Sequence, residues 1–277
     1  MVSPERLSRG LYWDRSLNLV TGCTKCGPEC LHCWLESETW MRANHPNKKI
    51  SEPVAGTVCG GRWTGTVRFI RERLEIPKHR RIRTVYAIWS DLFHPNVPFY
   101  DIFSAYQMMY GCKRHTFIVC TKRPERIIPF MRDYDVTAGS FPNVFHMTTA
   151  GTQATSSERI PYILELAGRG WPVGLSAEPL LEEIDIARFL KPFYDLPSCM
   201  SGDPMTYRPG SLSWVVTGCE SGAHRRGSNF SWFMSLKNQC TVSRVPFFLK
   251  QYEFEGKITK TFCSDDEFHA LPPILMR

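Results

Sequence analysis

Seven short runs of β-branched and aromatic residues recur along the chain, each running into a polar or glycine-bearing turn. They are LNLVTG (17–22), TVYAIWSD (84–91), HTFIVCTK (115–122), NVFHMTTAG (143–151), PVGLSAEP (172–179), SWVVTGCES (213–221) and VPFFLKQ (245–251). Between most of them lie segments with apolar residues at three- and four-residue spacing: YDIFSAYQMMYG (100–111), RPERIIPFMRDY (123–134), SSERIPYILELAGRG (156–170) and NFSWFMSLKNQC (229–240). Ser156 or Ser157 is the expected cap of the third. Strands that alternate with helices pair in parallel, because each crossover helix has to pack back onto the sheet. The runs are apolar on both alternations, as strands covered on both faces are. Six or seven such units predict an α/β fold built on a partial or complete TIM-like (β/α) barrel, with an open doubly wound sheet as the alternative.

The ends of the runs carry the second constraint. Asp91, Lys122, Thr149, Glu178, Glu220 and Lys250 each follow an apolar run at its C-terminal edge. In parallel α/β folds those edges converge on one face, where sites are built. The chain reads as a single domain over residues 1–277, with polar insertions near 38–66 and 196–212.

With 43% hydrophobic residues the chain can bury a sizeable core, which excludes a disordered chain. No apolar run is long enough for a membrane span, and the opening MVSPERLSRGLYWDRS lacks the apolar core of a secretory signal. The expectation is a cytoplasmic protein with no membrane partner. A net charge of +7 is concentrated in RFIRERLEIPKHRRIR (68–83), which reads either as a solvated face or as a phosphate-facing patch.

Four of the eleven cysteines, Cys23, Cys26, Cys30 and Cys33, crowd into the loop after the first run. In a reducing compartment such thiols are metal ligands or redox groups more often than disulfides. Cys26, Cys30 and Cys33 form C-x3-C-x2-C, and Cys23, Cys30 and Cys33 form C-x6-C-x2-C. Either triad can hold three corners of a [4Fe-4S] cubane and leave one iron open. All four can instead close a structural zinc site. The absence of a second, distant knuckle favours the cluster.

C-x3-C-x2-C after the first strand of an α/β barrel resembles the radical S-adenosyl-L-methionine (SAM) enzymes, with His32 where an aromatic residue is common. A closer resemblance, spread over residues 18–251, is to a phage-associated three-cysteine family. It rests on TGC-x6-C-x2-C followed by Trp34, and on SDLFH, TKRPER, SAEPLL, GCESG and VPFFLKQ. Cys219 stands where that family has glycine, and Cys26 is extra to its pattern, so the third ligand is open between Cys23 and Cys26. The resemblance implies a radical-SAM-like barrel with a [4Fe-4S] cluster, SAM, an external electron donor and a 5′-deoxyadenosyl radical. The substrate it suggests is a nucleobase, nucleotide or nucleic acid (DNA or RNA), as in phage DNA modification or repair in the host cytoplasm.

Ser90 and Asp91 resemble the superfamily's amine-binding position, with His94 one turn on; the alternative is that Asp91 and Asn96 shape a loop. Lys122 and Arg123 offer a carboxylate or phosphate clamp, or an ion pair with Glu125 or Glu178. Glu178 and Glu220 are candidates for a ribose contact or proton transfer. Ser221 lies in the CES turn between Gly218 and Gly222, where a ligand can approach the backbone. Lys250 completes the ring. Lys122, Glu178, Glu220 and Lys250 are thus the candidate catalytic groups. Two other functions fit the same residues: a non-enzymatic nucleic-acid-binding barrel with a structural zinc or cluster, and a barrel hydrolase or transferase using the strand-end carboxylates. Metal content separates them.

Overall fold

The computed structural model describes residues 2–190, 210–222, 224–260 and 268–276. Most of the expected insertion at 196–212 lies outside the described residues, as do Cys199 and Cys263. In chain order the strands are β1 (Arg15–Ser16), β2 (Val20–Thr21), β3 (Val58–Cys59), β4 (Arg62–Trp63), β5 (Arg68–Phe69), β6 (Val85–Ile88), β7 (Thr116–Thr121), β8 (Val144–Thr149), β9 (Val173–Ala177), β10 (Val215–Gly218), β11 (Phe247–Phe254) and β12 (Lys257–Thr259). Eight form one curled sheet in the order β1-β6-β7-β8-β9-β10-β11-β12. The first seven are parallel, and β12 returns antiparallel on β11. Among the described residues β12 does not pair with β1, so the sheet is a half-barrel and the barrel does not close.

The period-two alternation of strand side chains divides the core in two. Phe117, Val119, Val144, Leu175, Val215 and Leu249 face outward into one cluster with helix residues Ile102, Met109, Phe130, Ile163 and Leu236. Val85, Ile118, Phe145, Trp214 and Phe248 face inward with Tyr12, and Leu271 and Leu275 close this second cluster from the C-terminal segment. Tyr12 meets Trp214 and Phe248 edge-on, with centroids 4.9 and 5.3 Å apart. Moving up the inward positions the chemistry changes from apolar to polar: Ile118 and Cys120 on β7 and Lys122 just after it; Phe145, Met147, Thr149 on β8; Phe248, Lys250 on β11. One end of the concave face is therefore a packed floor and the other a polar mouth.

Three expectations shift. The first run does not enter the sheet as one strand. β1 lies before it, Leu17 N donates to Ala87 O (2.8 Å), and the chain then turns off so that β2 pairs with β5. The helix expected from Ser156 starts three residues earlier, at Gln153, because Thr152 and Thr155 form a reciprocal capping box. The last run continues to Phe254 and hairpins into β12. No helix among the described residues is long and apolar enough to cross a membrane.

Candidate functional site

A cavity of about 190 Å³ opens at the polar mouth. Its base is made by strand ends: Trp89, Ser90 and Asp91 after β6, Cys120 to Arg123 on and after β7, Thr149 of β8, Ser176 and Glu178 around the end of β9, and Lys250 of β11. The cysteine loop roofs it with Cys23, Thr24, Lys25, Cys30 and Cys33. Trp34 and Trp63 add aromatic wall, the latter from the β3–β4 hairpin within the 38–66 insertion.

Gly22, the middle residue of TGC, has φ +80°, and a Cβ there would lie 1.9 Å from Thr66 O. No side chain fits that contact, so the loop can leave β2 only at a glycine. Gly22→Ala is expected to cost about 1–3 kcal/mol in chemical denaturation.

Three polar latches hold the loop beyond this point. In the first, Arg123 donates from Nη1 to Asp91 (2.6 Å) and from Nη2 to Thr24 O and Oγ1 (2.8 and 3.0 Å). His94 completes it: its Nδ1 accepts from Asn96 N (3.1 Å), so Nε2 carries the proton and donates to Thr24 Oγ1 (2.8 Å). Burial, then the Arg123 charge, hold the His94 ring down to about 4, so it stays neutral at physiological pH. In the second latch Glu29 accepts from Gly151 N (2.8 Å) and Thr155 Oγ1 (2.5 Å) and pairs with Arg159 (3.2 Å). Arg159 also donates to Thr149 O (2.8 Å) and Cys26 O (3.1 Å). In the third, Glu220 accepts from Arg226 (2.6 Å) and contacts His32 Nδ1 (3.0 Å), while Arg226 donates to Pro28 O (2.9 Å).

The thiols are electrostatically unequal. Cys26 lies 4.0 Å from Cys30. With Cys26 donating, this contact holds the Cys30 thiol down to about 5, against the cost of burial and with help from the Lys122 ammonium. The same contact pushes Cys26 up, since Cys30 then carries the pair's charge. Burial, then Asp91, push Cys23 up to about 11, and burial raises Cys33. Burial disfavours the Lys122 ammonium, but Cys30, Cys120, Cys33 and Asp91 outweigh it and raise the pKa overall. The cavity is thus a thiol pocket with a resident cation.

A family model described as "Protein of unknown function (DUF5131)" matches residues 8–264. The chain belongs to the DUF5131 family. No curated protein matches it, and no solved structure does.

In this DUF5131 chain the strand-end residues do not all share the cavity. Ser90, Asp91, Lys122, Arg123, Glu178 and Lys250 line it; Glu220 and Ser221 do not. The ladder between β10 and β11 slips register at Thr217/Gly218, and beyond that slip Glu220 turns to the third latch. Asp91 has both oxygens engaged, by Thr121 and Phe93 N on one and Arg123 on the other. Arg123 therefore pairs with Asp91, where the sequence pointed to Glu125 or Glu178. Glu178 accepts from Tyr12 (3.0 Å), Ser176 (3.1 Å) and Lys250 (2.9 Å). Cys23, Cys30 and Cys33 line the cavity, whereas Cys26 is exposed and lies off its lining.

Glu29, Arg159, Tyr12, Thr24 and Trp63 were not among the candidates. Arg159 and Glu29 carry no spacing signal, but a charged residue inside a cysteine loop (Glu29) could have prompted a search for a buried partner.

As a test of an implied metal group, no set of three or more His, Cys, Asp or Glu among the described residues is disposed to hold a single metal ion. A cubane gives each thiolate its own iron and does not need the sulfurs to converge on one point. Three thiols on one wall beside a buried-side cation suit such a thiophilic, negatively charged group.

Proposed function

We propose that this DUF5131 chain is a radical-SAM-like iron–sulfur enzyme acting on a nucleobase, nucleotide or nucleic acid. The observation that carries the reading is the shared cavity of Cys23, Cys30 and Cys33, the C-x6-C-x2-C triad, with Lys122 beneath them at the mouth of a half-barrel. When bound, the cluster would supply the electron that cleaves SAM and opens radical chemistry. The protein's own contribution is legible residue by residue. Lys122 offsets thiolate charge. Arg123, with Asp91 and His94, fixes Thr24 and so the approach of Cys23. Trp13, Trp63 and Trp89 line the cavity with flat apolar surface on which an adenine or a substrate base can stack. Ser90 and the Glu178–Lys250 pair supply hydrogen-bonding groups for the polar part of a ligand.

One observation favours a zinc reading: the 4.0 Å between Cys26 and Cys30 is close to the edge of a tetrahedral thiolate site, roughly 3.8 Å for Zn–S of about 2.3 Å. Anaerobic purification with iron, sulfide and zinc quantified, followed by a SAM-cleavage assay, tests both. About four irons and four sulfides with reductant-dependent cleavage is the expected result. Stoichiometric zinc without iron would overturn the proposal.

A further inference from the structure

The stretch 68–83 divides in two. Its first part is engaged within the fold: Arg71 pairs with Asp101, Lys78 pairs with Glu75, and Arg73 donates to Asn18 O. Its last part is not. Arg81 and Arg83 are exposed and line a second cavity with exposed Lys113 and Arg114, beside Thr116 and Asn143. No carboxylate lines this cavity, and none of the four cations has an ion-pair partner among the described residues.

The register explains why the charges meet. Val85 of β6 pairs with Thr116 of β7, so Arg83 and Arg114 each stand two residues before paired positions. Thr116 N donates to Thr84 O (3.1 Å) and Thr84 N to His115 Nδ1 (3.2 Å), which ties the two loops together. Burial lowers the pKa of His115, and its Nε2 bonds Pro77 O (3.0 Å), so it serves as a neutral strut. Like charges held side by side on a tied frame, with no acid to offset them, repel each other and weaken the fold. An anionic partner removes that cost.

We propose that this basic floor, at the opposite end of the sheet from the cysteine cavity, binds the phosphodiester backbone of a nucleic acid. Among the described residues no aromatic side chain lines the cavity itself, and the Tyr110 ring beside it is covered by the Lys113 ammonium (4.3 Å), so contact is to phosphate and independent of base sequence. An anionic bilayer is the poorer partner, since surface helices hold to membranes through a broad apolar face and here Ile82 is the exposed apolar residue between the arginines. The inference does not depend on the chemistry proposed for the mouth.

The test is fluorescence anisotropy of labelled duplex DNA and single-stranded RNA with the full chain over a salt series. Arg81→Gln/Arg83→Gln and Lys113→Gln/Arg114→Gln are each compared with wild type, with thermal melts checking the fold. Combining all four changes should weaken binding by on the order of 100-fold or more and reduce the slope of log K against log salt by about 3–4. Unchanged affinity and slope would overturn the proposal, as would binding to phosphatidylserine vesicles without binding to either polynucleotide. Binding that survives all four changes would place the nucleic acid elsewhere and equally overturn the floor site, whatever the cluster assay gives.

Discussion

Arg159→Ala is expected to destabilise the fold by about 3–5 kcal/mol at neutral pH, the usual result of stripping a buried charge of its partner. The Glu29 side chain is 0% exposed and that of Arg159 is 4% exposed. Burial raises the Glu29 pKa, but the Thr155 hydroxyl, the Arg159 charge and the Gly151 amide outweigh it and leave it below 4.5. A carboxylate with a depressed folded pKa adds stability above its unfolded pKa and loses it as pH falls through the folded value. Removing Arg159 raises the folded pKa, so the deficit should be full at pH 7 and shrink as Glu29 protonates on acidification. Urea melts at several pH values measure this directly. Glu29→Gln/Arg159→Met should cost less than the sum of its single changes, because neither partner is left charged and alone. A deficit that does not change with pH would mean that Arg159 acts by packing alone. The variant also releases Cys26 O and Thr149 O, so the cysteine loop should lose protease resistance before the sheet does.

This latch marks the limit of what the sequence reveals. The alternation of strands and helices and the polar strand ends were legible because they follow from local periodicity and from parallel pairing. Glu29 and Arg159 lie 130 residues apart, and their pairing depends on how far the loop folds back over β8. Nothing local encodes it. Glu220 was misplaced for a related reason: its position after a strand was correct, but its carboxylate is taken by Arg226 and by His32 of the cysteine loop and does not line the cavity. The first run misled because Leu17, Leu19 and Val20 are as apolar as residues of the main sheet, yet Leu17 and Leu19 lie between β1 and β2, and Val20 belongs to β2, which pairs with β5 outside that sheet. Asp91 and Arg123 were found as strand-end charges, while their commitment to each other shows only in three dimensions.

The second large effect concerns which thiol completes the triad. Spacing left Cys23 and Cys26 equivalent, since either forms a three-thiol set with Cys30 and Cys33. The fold separates them. Cys23 roofs the cavity with Arg123 3.9 Å from its sulfur, and Cys26 is exposed, its backbone oxygen taken by Arg159. Cys23→Ala, Cys30→Ala and Cys33→Ala are therefore each expected to abolish anaerobic iron and sulfide loading. Cys26→Ala is expected to leave loading intact. Its own signature should be a rise in the apparent pKa of Cys30, because the strongest influence holding that thiol near 5 is the Cys26 contact, with Lys122 acting in the same direction. Thiolate absorbance in the metal-free protein reads this shift without any cluster. Loading lost with Cys26 and kept without Cys23 would reverse the assignment, and zinc lost equally with all four would replace the open cluster by a closed structural site.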